Sequence, residues 1–541
     1  MSPPTRRCAY ALAALALGSG PALAQCEQRL VASTPAELAD GFGESFDIDG
    51  DWVVVSARLD DEAAANAGAA WILERHAGQW SVDEKLVPQG SGPGALFTHA
   101  RVAIEYPWAF AGSLWEQAPD GSGDRGVVRV YRHDPGTDQW QLTQSLWLEG
   151  AGASSSFGGR IEVDEGVLFV SARGSQELYV FRHDSTTDLW DATQILTDPE
   201  PGLGGNWLGP SIAAEGGDVA TAVVRSNGEF VGYRFEPVEV GLPHELFMLT
   251  DRVDFGGSAV TAGAVALGER GMAAQALMTV AGDQAEVRVH DRQPSGQVLL
   301  EALPAPDGLG AEFGRALAYD ESEQLLFIGS RAFASGIGPL GLGMVYRRTG
   351  GGMRLESEFR AQPIYPELRF ATSARSADGR FYVASQDDWG PSGSLSGRLH
   401  SYAPLSQPSL TPSDEEISVL AGGTQDLEIQ ACVEQAGHFY IVVGSFGLLP
   451  KNGYLQLGVH SLAIAPDAWT DVTLEAPNTG VLVGTFGVLD ATGRATASIQ
   501  IPPTADPSLI GLELHHAAVT IAPFNAAISS TSIPTSLLLG L

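Results

Sequence analysis

The sequence predicts an all-β fold, a seven-bladed β-propeller followed by a C-terminal β-sandwich, and three observations carry that prediction. A unit of roughly 50 residues recurs seven times, too small in any one copy to bury its own apolar face. Each copy breaks into short runs rich in β-branched and aromatic residues, divided by turn residues. Beyond about residue 408 the rhythm stops and a different set of alternating runs begins.

The clearest copy is residues 157–196. It opens on Phe157-Gly158 and continues through Arg160-Ile161-Glu162-Val163 to a turn at Asp164-Glu165-Gly166. The apolar run Val167 to Val170 then ends in Ser171-Ala172. Leu178-Tyr179-Val180-Phe181, a polar turn at 184–188, and Trp190 to Leu196 complete it. Four such segments make one four-stranded antiparallel sheet. The opening pair, intact or degraded, recurs at Phe42-Gly43, Phe97-Thr98, Trp207-Leu208, Phe255-Gly256, Phe313-Gly314 and Phe370-Ala371. The spacings are 55, 60, 50, 48, 58 and 57 residues.

Second strands ending in small residues recur at 53–57, 110–113, 327–330 and 382–385, and third strands at 71–73, 130–131, 233–235, 345–346 and 399–402. A fourth strand opens on Trp80, Trp140 and Trp190. Gly after Phe allows close backbone approach, the Phe ring fills the gap between neighbouring wedges, and the outer Trp is expected to cover the rim. The seventh copy lacks a fourth strand, because residues 403–412 turn Pro- and Ser-rich, whereas Cys26 to Val31 precedes the first copy as an orphan strand. Pairing the two closes the ring and removes open sheet edges.

This pattern resembles the FG-GAP repeat family, whose best-known members are the integrin α-chain propellers, and it is closest to the bacterial variety. The resemblance covers about residues 26–403, strongly in copies one to three and poorly in copies four and five. The run 130–140, Val-Tyr-Arg-His-Asp-Pro-Gly-Thr-Asp-Gln-Trp, also looks kelch-like, which keeps seven blades and changes the strand assignment.

Residues 1–24 combine Arg6-Arg7, an apolar run from Ala9 to Leu17 and Ala22-Leu23-Ala24, the signature of a secretory signal peptide. The run is too short for a transmembrane helix, and no other stretch is long and apolar enough. The expected domains are a signal peptide at 1–24, the propeller at 25–408 and the sandwich at 409–541. Cys26 and Cys432 remain after cleavage, and two cysteines in an exported chain make a disulfide between them possible. The net charge of −34, from 65 acidic and 31 basic residues, argues against nucleic acid and anionic membrane as partners.

In the C-terminal part, strands are expected at 427–429, 439–443, Val472-Thr473-Leu474, 481–483, 495–501, 512–519 and 536–539, a sandwich pattern. Gly422-Gly423, Gly444-Ser445 and the run 489–494 resemble a C-terminal module of secreted planctomycete-type proteins.

Candidate chemistry is sparse. Asp47-Ile48-Asp49-Gly50-Asp51 suggests calcium, but no later acid closes the loop, and the other copies carry ordinary turn residues at the same hairpin. Asp120 to Asp124 is a looser candidate. The run 336–341 matches a dinucleotide glycine pattern in letters only, since it carries Pro339 and opens no helix. Neither a Gly-x-Ser-x-Gly elbow, a His-Glu-x-x-His motif, a Cys cluster nor a complete sialidase Asp-box is present. His515 and His516 fall in a strand, so their rings point to opposite faces.

The sequence therefore assigns no catalytic, cofactor or metal residues, with calcium the one cofactor left open. The leading expectation is a secreted or cell-surface, non-enzymatic binding or adhesion scaffold whose partner is an extracellular protein or glycan. An extracellular propeller hydrolase or lyase acting on polysaccharide, and a structural envelope protein, are the alternatives. An enzyme requires convergent acids, Tyr or Arg with perturbed pKa values at the axis. A scaffold requires a plain channel and long loops, for which 114–125, 332–343 and 386–397 are the candidates.

Overall fold

The computed structural model describes residues 27–30, 41–76, 79–88, 97, 101–116, 125–148, 156–204, 212–239, 244–255, 261–268, 271–277, 285–293, 296–305, 313–330, 342–349, 352–360, 369–386, 397–402, 409–432, 435–448, 455–457, 460–462, 464, 465–504, 506–523, 528–532 and 534–541. The chain divides into two compact units, one within residues 29–401 and one within residues 402–541.

Among the described residues the first unit holds seven four-stranded sheets. Sheet one comprises Phe42–Asp49, Trp52–Ala57, Ala69–His76 and Gln79–Leu86; sheet two comprises Val102–Glu105, Trp108–Ser113, Val127–Asp134 and Gln139–Leu146. Sheet three is Phe157–Asp164, Val167–Ala172, Glu177–Asp184 and Leu189–Thr197; sheet four is Ile212–Glu215, Asp218–Val224, Phe230–Val238 and Leu246–Asp254. Sheet five is Thr261–Gly268, Gly271–Leu277, Ala285–Gln293 and Gly296–Pro304; sheet six is Phe313–Asp320, Leu325–Ser330, Leu342–Thr349 and Gly352–Arg360. Sheet seven is Arg369–Ala377, Arg380–Gln386, Arg398–Tyr402 and, from the start of the chain, Glu27–Leu30. The strands on either side of the turn at 135–138 pair antiparallel within one sheet.

The first strand of each sheet packs against the first strand of the next, and that of sheet seven packs against that of sheet one. Contacts that join sheets one, two and three recur between sheets seven and one. Phe97 and Phe157 are fully buried between their own sheet and the preceding one. Phe42 is buried in the same way against Tyr382, Ala384 and Leu399 of sheet seven. A Cβ on Gly68, Gly126 or Gly397 would overlap the carbonyl oxygen of Phe97, Phe157 or Phe42, respectively. The glycine required for close approach is thus the one that opens the third strand. The glycine after Phe, such as Gly158 at φ +85°, serves instead a bulge in the first strand.

The outer tryptophans do not cover the rim. Trp140 stands edge-on to Trp52 of the preceding sheet at 5.5 Å, Trp190 to Trp108 at 5.8 Å, and Trp80 to Tyr382 at 6.1 Å. Edge-to-face packing places their area between blades, where burial is worth most. A polar clamp lies alongside. Gln144 accepts from Trp190 N and donates to its carbonyl, and Gln194 does the same to Phe247. Glu84 accepts from Trp140 N, and Glu301 accepts from Met353 N.

The second unit is a β-sandwich. One sheet runs Ser409–Pro412, Gly423–Gln430, Arg494–Ile501, Leu482–Val483. The other runs Glu416–Ser418, Thr535–Gly540, Glu513–Ile521, Phe439–Ser445, Phe486–Val488, with Ile528–Thr531 paired to Glu513–Ile521. Leu427, Ile429 and Ile499 of the first meet Val442, Ala518 and Leu537 of the second in one core. One expectation fails here: Val472-Thr473-Leu474 lies in a helix, Ala468–Glu475, not a strand. Asp467 caps it, accepting from Trp469 N and Thr470 N, while Thr470 answers Asp467 N in a capping box. The helix lies on the sheet at Gly444, where a Cβ would collide with the Trp469 indole.

Gly126→Ala should lower the thermal midpoint of the propeller, since φ is +86° there and the methyl meets Phe157 O. We expect a loss of about 2 kcal/mol or more, read by thermal or chemical denaturation. A substitution without effect would contradict the close inter-blade contact.

Candidate functional site

The hairpin between the first and second strands gives a common origin for comparing the seven sheets. The first strands end at Asp49, Glu105, Asp164, Glu215, Gly268, Asp320 and Ala377. Two residues earlier stand Asp47, Ala103, Glu162, Ala213, Ala266, Ala318 and Arg375. Four alanines keep this level narrow, and the three charged side chains meet in it. Arg375 donates Nε to Asp47 at 2.8 Å and Nη2 to both carboxylate oxygens of Glu162 at 3.0 Å. Sheets seven and three are three places apart around the ring, so Arg375 reaches across the axis.

Burial raises the pKa of Asp47 and brings Glu162 to about 7, in both cases against the pull of Arg375. Burial works to lower the Arg375 pKa, but Glu162 and Asp47 outweigh it and hold the guanidinium charged. The ion-paired state is the one the geometry favours, because an arginine stays protonated in proteins.

On the hairpin side the acids are used by neighbouring sheets. Asp49 accepts from Tyr106 N at 2.7 Å, Glu105 from Gly166 N at 2.9 Å, and Asp164 from Gly217 N at 2.7 Å. Asp320 accepts from Ser376 Oγ at 3.2 Å. Along the first-strand edge, Val102 N likewise donates to Ser45 Oγ and Ile104 N to Asp47 Oδ2. Asp51 pairs with Arg75. The Asp47-Ile48-Asp49-Gly50-Asp51 run therefore sends its three carboxylates to three different partners. Among the described residues no group of three or more His, Cys, Asp or Glu is arranged to hold a metal. Glu215, like Asp51, is exposed; desolvation by the residues around its carboxyl, then the charges of Asp164 and Glu321, push it up to about 7.

On the opposite side the axis is basic. Arg101 and Arg160 each stand four residues before the hairpin, in adjacent sheets. Arg315 comes from the bulge of sheet six, and Arg173 follows the second strand of sheet three with its side chain against Gly159. Desolvation and then mutual repulsion lower the pKa of Arg101, through Arg375 and Arg315, and that of Arg160, through Arg101, Arg173 and Arg315. Glu44 and Glu162 are the acids that oppose this at Arg101. Guanidinium groups gathered in this way can donate bidentate hydrogen bonds to a carboxylate, sulfate or phosphate.

Of the axial residues sequence reasoning singled out Asp47 alone, as part of a calcium candidate; it named neither Glu162, Arg375 nor the other arginines. Within one copy Arg160 and Glu162 are an alternating polar pair on a strand, and Arg375 lies in a degraded repeat. Only the equivalence of copies, with ring order, brings them together. Of the residues the sequence did single out, Cys432 is disulfide-bonded, and Cys26 lies outside the described residues. His515 bonds Ser536 Oγ at 2.8 Å, whereas His516 accepts from Trp469 Nε1 at 3.1 Å. Asp120 to Asp124 and most of the candidate loops 114–125, 332–343 and 386–397 lie outside the described residues. Among the described residues no helix is long and apolar enough to cross a membrane.

A family model described as the FG-GAP repeat matches residues 25–73. No curated protein matches the chain. Among solved structures it is similar to a putative 6-phosphogluconolactonase from Bacteroides uniformis, at 12% identity over 59% of this chain and 85% of that one, with TM-score 0.41. It is similar also to the periplasmic gluconolactonase of Pseudomonas aeruginosa, at 12% identity, 59% and 85% coverage and TM-score 0.36. A β-propeller domain from Myceliophteria thermophila matches at 9% identity, 70% and 99% coverage and TM-score 0.40.

Glu215 gives this site a pH signature. Its folded-state pKa of about 7 exceeds the ordinary 4.5, so its contribution to stability is complete below 4.5 and is lost as pH rises through 7. Glu215→Gln should therefore raise the thermal midpoint at pH 8 and leave it unchanged at pH 4. Equal shifts at both pH values would contradict the crowding of acids at the hairpin end.

Proposed function

We infer from the axial site that this chain, which is an FG-GAP repeat β-propeller protein, is a secreted or cell-surface binding protein whose ligand carries an anionic group. The observation that carries the reading is that Arg101, Arg160, Arg315 and Arg173 stand near enough to repel one another on one side of the axial level, in a chain of net charge −34. With acids outnumbering bases about two to one, arginines gathered in this way are a local inversion of sign. Such an inversion concentrates an anion against the repulsive field of the whole molecule. The ligand class is a carboxylated, sulfated or phosphorylated extracellular glycan or protein segment.

The non-enzymatic part of the reading is supported by how the carboxylates are used. Asp47, Asp49, Glu105 and Asp164 each hold the neighbouring sheet, and Glu162 holds sheet seven across the axis, through a hydrogen bond or ion pair. A general base must instead face the substrate. The second unit serves in this reading as an attachment or spacer module.

One observation favours a second reading, that of a polysaccharide hydrolase or lyase. Glu162, at about 7, lies two residues from Arg160 on the same strand, and a base beside a carboxylate-binding arginine suits proton abstraction. Turnover of an anionic polysaccharide that is lost in Glu162→Gln would establish it.

The binding reading is tested by calorimetric titration with trigalacturonate and with a sulfated oligosaccharide. We expect at least one to bind, with affinity falling as salt rises, and the double change Arg101→Gln and Arg160→Gln to weaken it by about a hundredfold. Binding insensitive to both salt and the arginine changes would overturn the reading.

A further inference from the structure

In the second unit, the outer face of the first sheet of the sandwich is concave, forming a cleft of about 550 Å³. That volume lies within the range of small-molecule sites. Its floor is laid out by strand register. Thr411 pairs with Glu428, and Glu428 with Thr496, across three neighbouring strands. Asp426 pairs with Ser498, and Ser498 with Val483, in the next row along. All six line the cleft. Rows are about 6.8 Å apart and strands about 4.8 Å apart in such a sheet.

The alternation of the strand explains why these side chains share a face. In Gly423–Gln430 the residues Leu427 and Ile429 point into the core, and Asp426 and Glu428 are exposed on the other side. A polar outer face is ordinary; this one has two further features. It is concave rather than flat. Moreover, among the described residues no hydrogen bond or ion pair engages the side chains of Thr411, Asp426, Glu428, Thr496 or Ser498. Ser498 is nonetheless buried, only 8% exposed. Val483, 43% exposed, adds an apolar edge.

We propose that this cleft binds a neutral oligosaccharide. The lining contains no basic residue, which excludes an anionic ligand. A carboxylate can accept two adjacent sugar hydroxyls, and the Thr and Ser hydroxyls beside it can donate or accept. A sugar ring therefore finds a partner for each of its hydroxyls whichever way they turn. A cation would use the two carboxylates and leave the flanking hydroxyls without a role. Val483 and the bare backbone of Gly484 offer surface to the C–H face of a ring.

The test uses the full chain and four probes, cellotetraose, maltotetraose, mannotetraose and xylotetraose, titrated by calorimetry at 0.1 and 1 M NaCl. We expect at least one to bind equally at both salt concentrations, and the double change Asp426→Asn and Glu428→Gln to weaken it about tenfold or more. Thr496→Val, a volume-conserving change at an exposed site, should weaken it less. The arginine changes at the propeller axis should leave it untouched, which separates this site from the axial one. Circular dichroism establishes that the variants fold. Failure of all four probes to bind, or binding unchanged in the double variant, would overturn the proposal. With spermidine titrated as a cationic control, its binding alone, abolished at 1 M NaCl, would overturn it too.

Discussion

A ring of sheets leaves one edge of every sheet open at its centre, and the polar groups of that edge must be satisfied. The N–H groups of each first strand that face the axis have no further strand to pair with, and a buried unpaired donor costs about 1–3 kcal/mol. This protein answers with side chains from the preceding sheet. Ser45, Asp47 and Asp49, alternate residues of one strand, take Val102 N, Ile104 N and Tyr106 N, alternate residues of the next. Glu105 and Asp164 continue the arrangement at the hairpins of sheets three and four. A period of two on one strand meets a period of two on the other, because both are extended.

That constraint shapes the chemistry of the axis. The acids that would otherwise suggest a metal or a catalytic dyad are drawn into the joints between blades, and Arg375 ties two of them together across the centre. A paired charge of this kind contributes little net stability, since desolvation offsets most of its attraction, but removing one partner is costly. Its effect is positional: it fixes sheets one, three and seven at one level. The remaining arginines, on the side away from the hairpins, repel one another, opposed by Glu44 and Glu162 at Arg101.

The fold was legible because its signals are local and repeated. Phe42, Phe97, Phe157 and Phe313 mark real inter-blade contacts, and the orphan strand before Phe42 finds its place beside Arg398–Tyr402. Copy four looked poor because its signals are replaced rather than lost. Phe247 stands where other copies have Trp, and Arg225, fully buried and paired with Asp198, takes the place of a small residue after the second strand. The helix Ala468–Glu475 was read as a strand because Val472-Thr473-Leu474 is β-rich in isolation; the capping box at Asp467 and Thr470 decides otherwise. Of the axial site only Asp47 stood out, and for a different chemistry. Glu162 and Arg375 are separated by 213 residues, and nothing short of the ring order tells that they face each other.

The account rests on axial edge amides being held by the side chains of the preceding sheet, and amide hydrogen exchange over residues 101–107 reads this directly. Ile104 and Tyr106 should exchange as slowly as the interior strand Trp108–Ser113 in the wild-type protein. In the double change Asp47→Ala and Asp49→Ala they should exchange quickly while Trp108–Ser113 stays protected. Fast exchange at Ile104 and Tyr106 in the wild type, or protection unchanged in the variant, would contradict it.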